Sequence, residues 1–143
     1  MIVLDTTVLV YAIGGDRKLR EPARAIVGAV EKGAVRATTS ARAIQELVHI
    51  RAGRRGRADG VKLGRAYTTL LSPLLPPSEA DLVDGLRLFE LEEALGAFDA
   101  VLAAAALAAK AEALVSADPS FASVRGLRWV DLAGEELEPL LAG

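Results

Sequence analysis

The segment Ile2-Val3-Leu4-Asp5-Thr6-Thr7 decides the fold class. Three consecutive apolar residues closed by an acid and two hydroxyls read as a buried parallel strand whose C-terminal end opens onto a loop or helix. A counterpart, Ala113-Leu114-Val115-Ser116, runs into Asp118-Pro119 and reads as a second such strand. Two further short strands are predicted at Val35–Thr38 and Leu127–Val130. Between them the apolar spacing changes to three and four residues. Leu19, Ala23, Ile26, Val27 and Val30 mark an amphipathic helix with Pro22 in its first turn and Gly33 as its stop. Ser40 caps a helix with Ala43, Ile44, Leu47, Val48 and Ile50 on its apolar arc. A basic helical region covers about Asp59 to Leu71, Pro73–Pro76 forms a short extended piece, and Ser78 caps a helix to about Glu93. Phe98–Ala109, nearly all Ala, Leu and Val, predicts a helix apolar on every face and therefore central, and a short helix closes the chain. Strands alternating with helices imply right-handed crossovers and an α/β/α three-layer sandwich around a parallel sheet.

The chain of 143 residues, 52% hydrophobic and 25% charged, has the size of one domain and is read as a single domain over residues 1–143. Gly53–Gly64, rich in Gly and Arg, is expected to be a loop or helix junction rather than a linker. The absence of cysteine excludes disulfides, thiolate-held zinc, iron–sulfur clusters and cysteine nucleophiles. A single histidine, His49, excludes a multi-histidine metal centre. The net charge of −2 announces no nucleic-acid binding by itself. The opening residues carry no basic leader and no apolar run is long enough to span a bilayer, so the chain reads as cytoplasmic.

Carboxylates are the chemistry available in quantity, and three lie at edges of the expected core. Asp5 terminates the first strand, Asp118 follows another, and Asp99 opens the alanine-rich helix. Asp81, Asp84, Glu92 and Glu93 read instead as surface acids on polar faces. Parallel strands would bring Asp5 and Asp118 to the same rim, where the Asp99 helix could meet them, with Glu46 as a fourth member. Each acid alone is as well explained by helix capping or by the helix dipole. Together they are not: two carboxylates about 5 Å apart at an effective dielectric of about 20 repel by about 3 kcal/mol. A convergent set must take up protons or cations, and an all-oxygen set selects hard divalent ions such as Mg2+ or Mn2+. Such a site suits phosphodiester hydrolysis.

Thr6, Thr7 and Ser116 are placed to orient these carboxylates or their bound waters, although capping explains hydroxyls there equally well. Arg51, Arg54, Arg55 and Arg57, continuing to Lys62 and Arg65 with only Asp59 opposing them, are candidates for contact with an RNA backbone, or else a solvated face. Tyr11 reads as core or interface, His49 as exposed, and Phe121 and Trp129 as packing residues.

Four strings carry a resemblance: Ile2-Val-Leu-Asp5-Thr-Thr7, Ala43-Ile-Gln-Glu46-Leu47, Phe98-Asp99 with the alanine run after it, and Leu114-Val-Ser116-Ala-Asp118-Pro-Ser-Phe121. Together, in this order and in a chain of this length, they resemble PIN domains, specifically the VapC-type toxins of toxin–antitoxin pairs, over nearly the whole chain. The resemblance implies a Mg2+- or Mn2+-dependent endoribonuclease, usually a homodimer, held inactive by a VapB-like antitoxin that lays an apolar segment in a groove and sends a basic side chain into the acidic pocket. It assigns the family's acidic positions to Asp5, Glu46, Asp99 and Asp118. Thr7 departs from the family's usual Asn or Ser, and Ser116 matches the Ser or Thr that precedes the last acid.

Two other classes remain open on the sequence. In acidic-pocket phosphatases and receiver-like phosphoryl-transfer proteins one Asp is the nucleophile. Asp5-Thr-Thr lacks the second acid those phosphatases use, and Lys110 is the one late lysine able to anchor phosphate. A non-catalytic module would use the same acids only to receive a basic partner peptide.

Overall fold

Four short strands pair in parallel, in the order β2-β1-β3-β4, at the centre of the protein. The computed structural model describes residues 1–143 apart from the side chain of Arg17. The strands are β1 (Ile2–Leu4), β2 (Ala37–Thr38), β3 (Ala113–Ser116) and β4 (Trp129–Asp131). The helices are α1 (Thr6–Ile13), α2 (Arg17–Glu31), α3 (Ala41–Arg55), α4 (Arg57–Leu71), α5 (Glu79–Leu91), α6 (Ala97–Ala108) and α7 (Leu137–Ala142).

Side chains alternate across the sheet with the period of two that a strand imposes. Ile2, Leu4, Ala113, Val115 and Val130 enter one core with Leu9 of α1, Ile26 of α2, Leu47 of α3 and Leu71 of α4. Val3 and Leu114 enter the other, with Leu95, Ala103 and Ala106, Phe121 and Val124. Covering both faces makes the three layers predicted from the uninterrupted apolar strands. Trp129 packs against the second core, where Phe121 is fully buried, and Tyr11 packs against the first.

Several elements differ from the expectation. Of the loop or helix expected after Asp5 the structure has a helix, α1, which buries Val8, Leu9 and Ala12. Pro22 lies beyond the first turn of α2, which starts after the Asp16 cap, so the helix continues across it. Gly33 at φ 72° ends the turn after α2 as expected. The predicted Val35–Thr38 strand pairs only at Ala37 and Thr38. The junction within Gly53–Gly64 shrinks to Gly56, whose φ of 92° turns α3 directly into α4. Gly64 is helical: a Cβ there would stand 2.5 Å from Val48 Cγ2, so its absence lets the two helices meet. Helix α6 is not buried all round. It buries Ala100 and Leu102–Ala106, packs α5 along its side, and leaves Phe98 in solvent. Asp81 is not a surface acid but is 8% exposed, its Oδ2 accepting the Ser78 N–H at 2.8 Å while Ser78 Oγ accepts the Asp81 N–H at 3.1 Å. Among the described residues no helix is long and apolar enough to cross a membrane.

Candidate acidic active site

The strand order places the site. The chain leaves β1 for β2 on one side, while β3 lies on the other, so a crevice opens at the C-terminal ends of β1 and β3. Asp5 sits there, its N–H donating to the Val115 carbonyl at 3.0 Å, and Asp118 follows Ser116 from the neighbouring strand. Asp99 reaches the same place from the first turn of α6 and Glu46 from the second turn of α3.

Capping explains one of these acids and not the others. Asp118 Oδ1 accepts the Ser120 N–H at 2.9 Å and so caps the turn Pro119–Ser123. Asp5 stands at the N-cap of α1 but makes no side-chain cap bond, and Asp99 makes none in α6, whose cap position is Gly96. Asp5 is instead gripped by hydroxyls. Ser116 Oγ–H donates to Asp5 Oδ2 at 2.7 Å and Thr7 Oγ1–H to the same oxygen at 3.0 Å. With their protons so committed, the hydroxyl oxygens accept backbone N–H groups: Asp118 to Ser116 Oγ at 2.9 Å and Ala117 to Thr7 Oγ1 at 3.1 Å. Asp5, Thr7, Ser116 and the backbone of Asp118 thus form one connected unit. Ser116 is held further by Trp129, whose indole N–H donates to its carbonyl at 3.2 Å. Thr6 lies beside Asp5 but contributes through its backbone amide rather than its hydroxyl.

The acids are electrostatically one group. Asp99 is pushed up to about 6, first by burial and then by the negative charges of Asp5, Asp118 and Glu46. Asp5, 5% exposed, is also raised by burial, against the opposing pull of Ser116, Thr7 and the backbone amides of Thr6 and Thr7. Among the described residues no three acids close tightly enough to enclose an ion unaided. They face one another through space, an arrangement whose repulsion a divalent cation would relieve by drawing them inward. The donor set, carboxylate and hydroxyl oxygen without sulfur, fits a hard divalent cation.

Two further side chains, neither given a role at the site by the sequence, stand at this rim. Arg42, one turn before Glu46, donates from Nε to Glu46 Oε1 at 3.1 Å, and its guanidinium lies 3.9 Å from the centre of the Phe98 ring. The i,i+4 spacing of Arg42 and Glu46 is a signal that would have found the pair. Nothing comparable marks Phe98, which sits within a run that reads as core. A cavity of about 460 Å3 opens beside them, lined by Arg42, Gln45, Glu46, His49 and Ile50. His49 is exposed there.

The basic stretch divides. Arg51 is engaged by Asp59 in an ion pair that ties α3 to α4, whereas Arg54, Arg55 and Arg57 are exposed at the α3–α4 corner. Lys110 lies beyond the C-terminal end of α6, about 16 Å along the helix from Asp99, which leaves the phosphoryl-transfer alternative without its anchor.

The family described as PIN domain matches residues 2–127. Ribonuclease VapC7 of Mycobacterium tuberculosis (strain H37Rv) is 54% identical over 125 residues, covering 87% of this chain and 86% of the relative. Ribonuclease VapC23 of the same species (strains CDC 1551 and H37Rv) is 36% identical over 102 residues, covering 69% of this chain and 78% of the relative.

Proposed function

This chain belongs to the PIN-domain family and is a VapC-type ribonuclease, and from that premise we propose that Asp5, Asp99 and Asp118 hold a divalent cation, Mg2+ or Mn2+, while Glu46 completes its shell or positions the attacking water. The observation that carries the assignment is the hydrogen-bonded unit that joins Asp5 through Ser116 and Thr7 to the backbone of Asp118 at the ends of two neighbouring strands, and Asp99, raised first by burial, is raised further by the charges of Asp5, Asp118 and Glu46. When bound, such a cation supplies charge stabilisation of the phosphate and an acidified water.

The protein's own groups do the rest. Ser116 and Thr7 hold one oxygen of Asp5, fixing the carboxylate plane and leaving Oδ1 without a hydroxyl partner and turned to other use. Asp118 has one oxygen committed to Ser120 and the other available. Glu46 is less confined, and Arg42 neutralises it until a ligand competes. The exposed Arg54, Arg55 and Arg57 are suited to the RNA backbone, with Arg51 contributing only if it leaves Asp59.

The same proposal takes residues 1–143 as one domain acting in the cytoplasm, with a VapB-like antitoxin as its inhibitor and a second copy of the chain as its neighbour. Leu82, Val83, Leu86 and Phe89, exposed along α5, form the apolar surface that a homodimer would bury. The test is cleavage of single-stranded RNA by the purified protein. EDTA should abolish it, added Mg2+ or Mn2+ should restore it, and Asp99→Asn should abolish it while keeping the native circular dichroism. Cleavage that survives in a folded, contaminant-free Asp99→Asn protein overturns the assignment.

A further inference from the structure

We propose that the exposed face of Phe98 stacks a base of the RNA next to the scissile phosphate; this rests on the ribonuclease reading above and adds a substrate-positioning residue to it. Phe98 immediately precedes Asp99 in the first turn of α6, and 63% of it is exposed, just ahead of the buried stretch that starts at Ala100. A phenyl ring left mostly in water buries little apolar area on folding. It does offer an aromatic face within one residue of where phosphate chemistry occurs.

The ring is also braced. The Arg42 guanidinium lies 3.9 Å from its centre, and the same group donates to Glu46, so the platform is tied directly to the acidic group. Beyond Arg42 the cavity of about 460 Å3 follows one face of α3, where positions 42, 45, 46, 49 and 50 recur at helical spacing. Its walls carry the Gln45 amide and the His49 imidazole, both able to donate and accept at a base edge, and the apolar Ile50. Arg54 follows one turn after Ile50, where the next phosphates of a strand lying along α3 would pass. An aromatic face and, beyond the guanidinium, an amide and a cavity of nucleoside scale are groups that recognise bases taken out of their stack.

The experiment uses the full chain with Mn2+ and a single-stranded RNA oligonucleotide whose cleavage position has been mapped with the unmodified protein. 2-Aminopurine is placed in turn on each side of that position. Phe98→Ala should raise KM about tenfold or more, the scale of one lost base–aromatic stack, with the loss falling on KM rather than kcat. Mn2+ affinity by calorimetry should stay within about twofold. Phe98→Trp should restore KM, and 2-aminopurine quenching should appear with the unmodified protein and Phe98→Trp but not with Phe98→Ala. Unchanged KM and quenching in Phe98→Ala overturn the inference. So does a Phe98→Ala protein that cleaves normally but loses affinity for its antitoxin, which would make the ring part of a protein interface. An unmodified protein that cleaves no RNA defeats the ribonuclease reading itself, a different outcome from either.

Discussion

Asp5 and Glu46 belong to the same acidic group yet stand in opposite surroundings. Asp5 is almost fully buried, with two hydroxyls on one oxygen and the backbone of the next strand holding those hydroxyls. Glu46 has a side chain 36% exposed and one partner, Arg42, itself exposed and resting on Phe98. One half of the site is fixed by the sheet, and the other is free to exchange partners. The contrast follows from cost: a buried carboxylate must have every available donor in place, whereas one in solvent can lose a partner to water cheaply.

The largest test of this contrast is removal of charge from each half. Asp5→Asn should lower metal-dependent RNA cleavage by about a thousandfold, the scale of several kcal/mol of charge stabilisation. Glu46→Gln should cost less, about tenfold to a hundredfold, and single-turnover cleavage rates compare them directly. Equal losses would erase the distinction between a fixed and an adjustable half.

Next comes the support beneath Asp5. Ser116→Ala removes a donor to Asp5 and the acceptor of the Asp118 N–H, and should weaken divalent-cation binding by about 10- to 100-fold. Leaving those groups unpaired should also cost about 1–3 kcal/mol of stability, read from urea unfolding.

Acidity probes the shared space. Burial and the neighbouring acids push the folded Asp99 carboxyl up to about 6 from an ordinary 3.8, so between these values the folded chain binds more protons than the unfolded one. The resulting stabilisation of the metal-free protein is complete below the lower value and is lost as pH rises through the upper one. Screening of the half-exposed group limits it to about 1 kcal/mol. Thermal melts in EDTA should show this loss, and Asp99→Asn should flatten it. With Mn2+ present protons compete for the same oxygens, so the sign reverses and binding weakens as pH falls through about 6. The smallest effect is expected at the exposed pair: Arg42→Ala should change stability by less than about 1 kcal/mol.

The strands at residues 2–4 and 113–116 were legible because a strand covered on both faces must be apolar throughout, and little else reads that way in so few residues. The acids at their ends were legible for the same reason, as charges where an apolar run stops. Asp81 was misread because a buried capping acid and a solvated one look alike in a sequence, and only the geometry of Ser78 separates them. The sequence leaves loop and helix open after Asp5 because Thr6–Ile13 is short and mostly apolar, so no polar face reveals its period. Phe98 was hidden by its neighbours, since the alanine-rich run gives no sign of which turn lies beyond the cover of α5.

By itself the sequence determined the layered parallel fold and the family to which it belongs, and it marked the acids of the candidate site, because apolar patterning and residue type are local properties carried by the letters. The tertiary structure alone decided that Thr7 and Ser116 grip one oxygen of Asp5, that Arg51 is engaged by Asp59, and that Arg42 bridges Glu46 to an exposed ring. Those outcomes depend on distances between residues remote in the chain, and such distances exist only once the sheet has paired and the helices have packed.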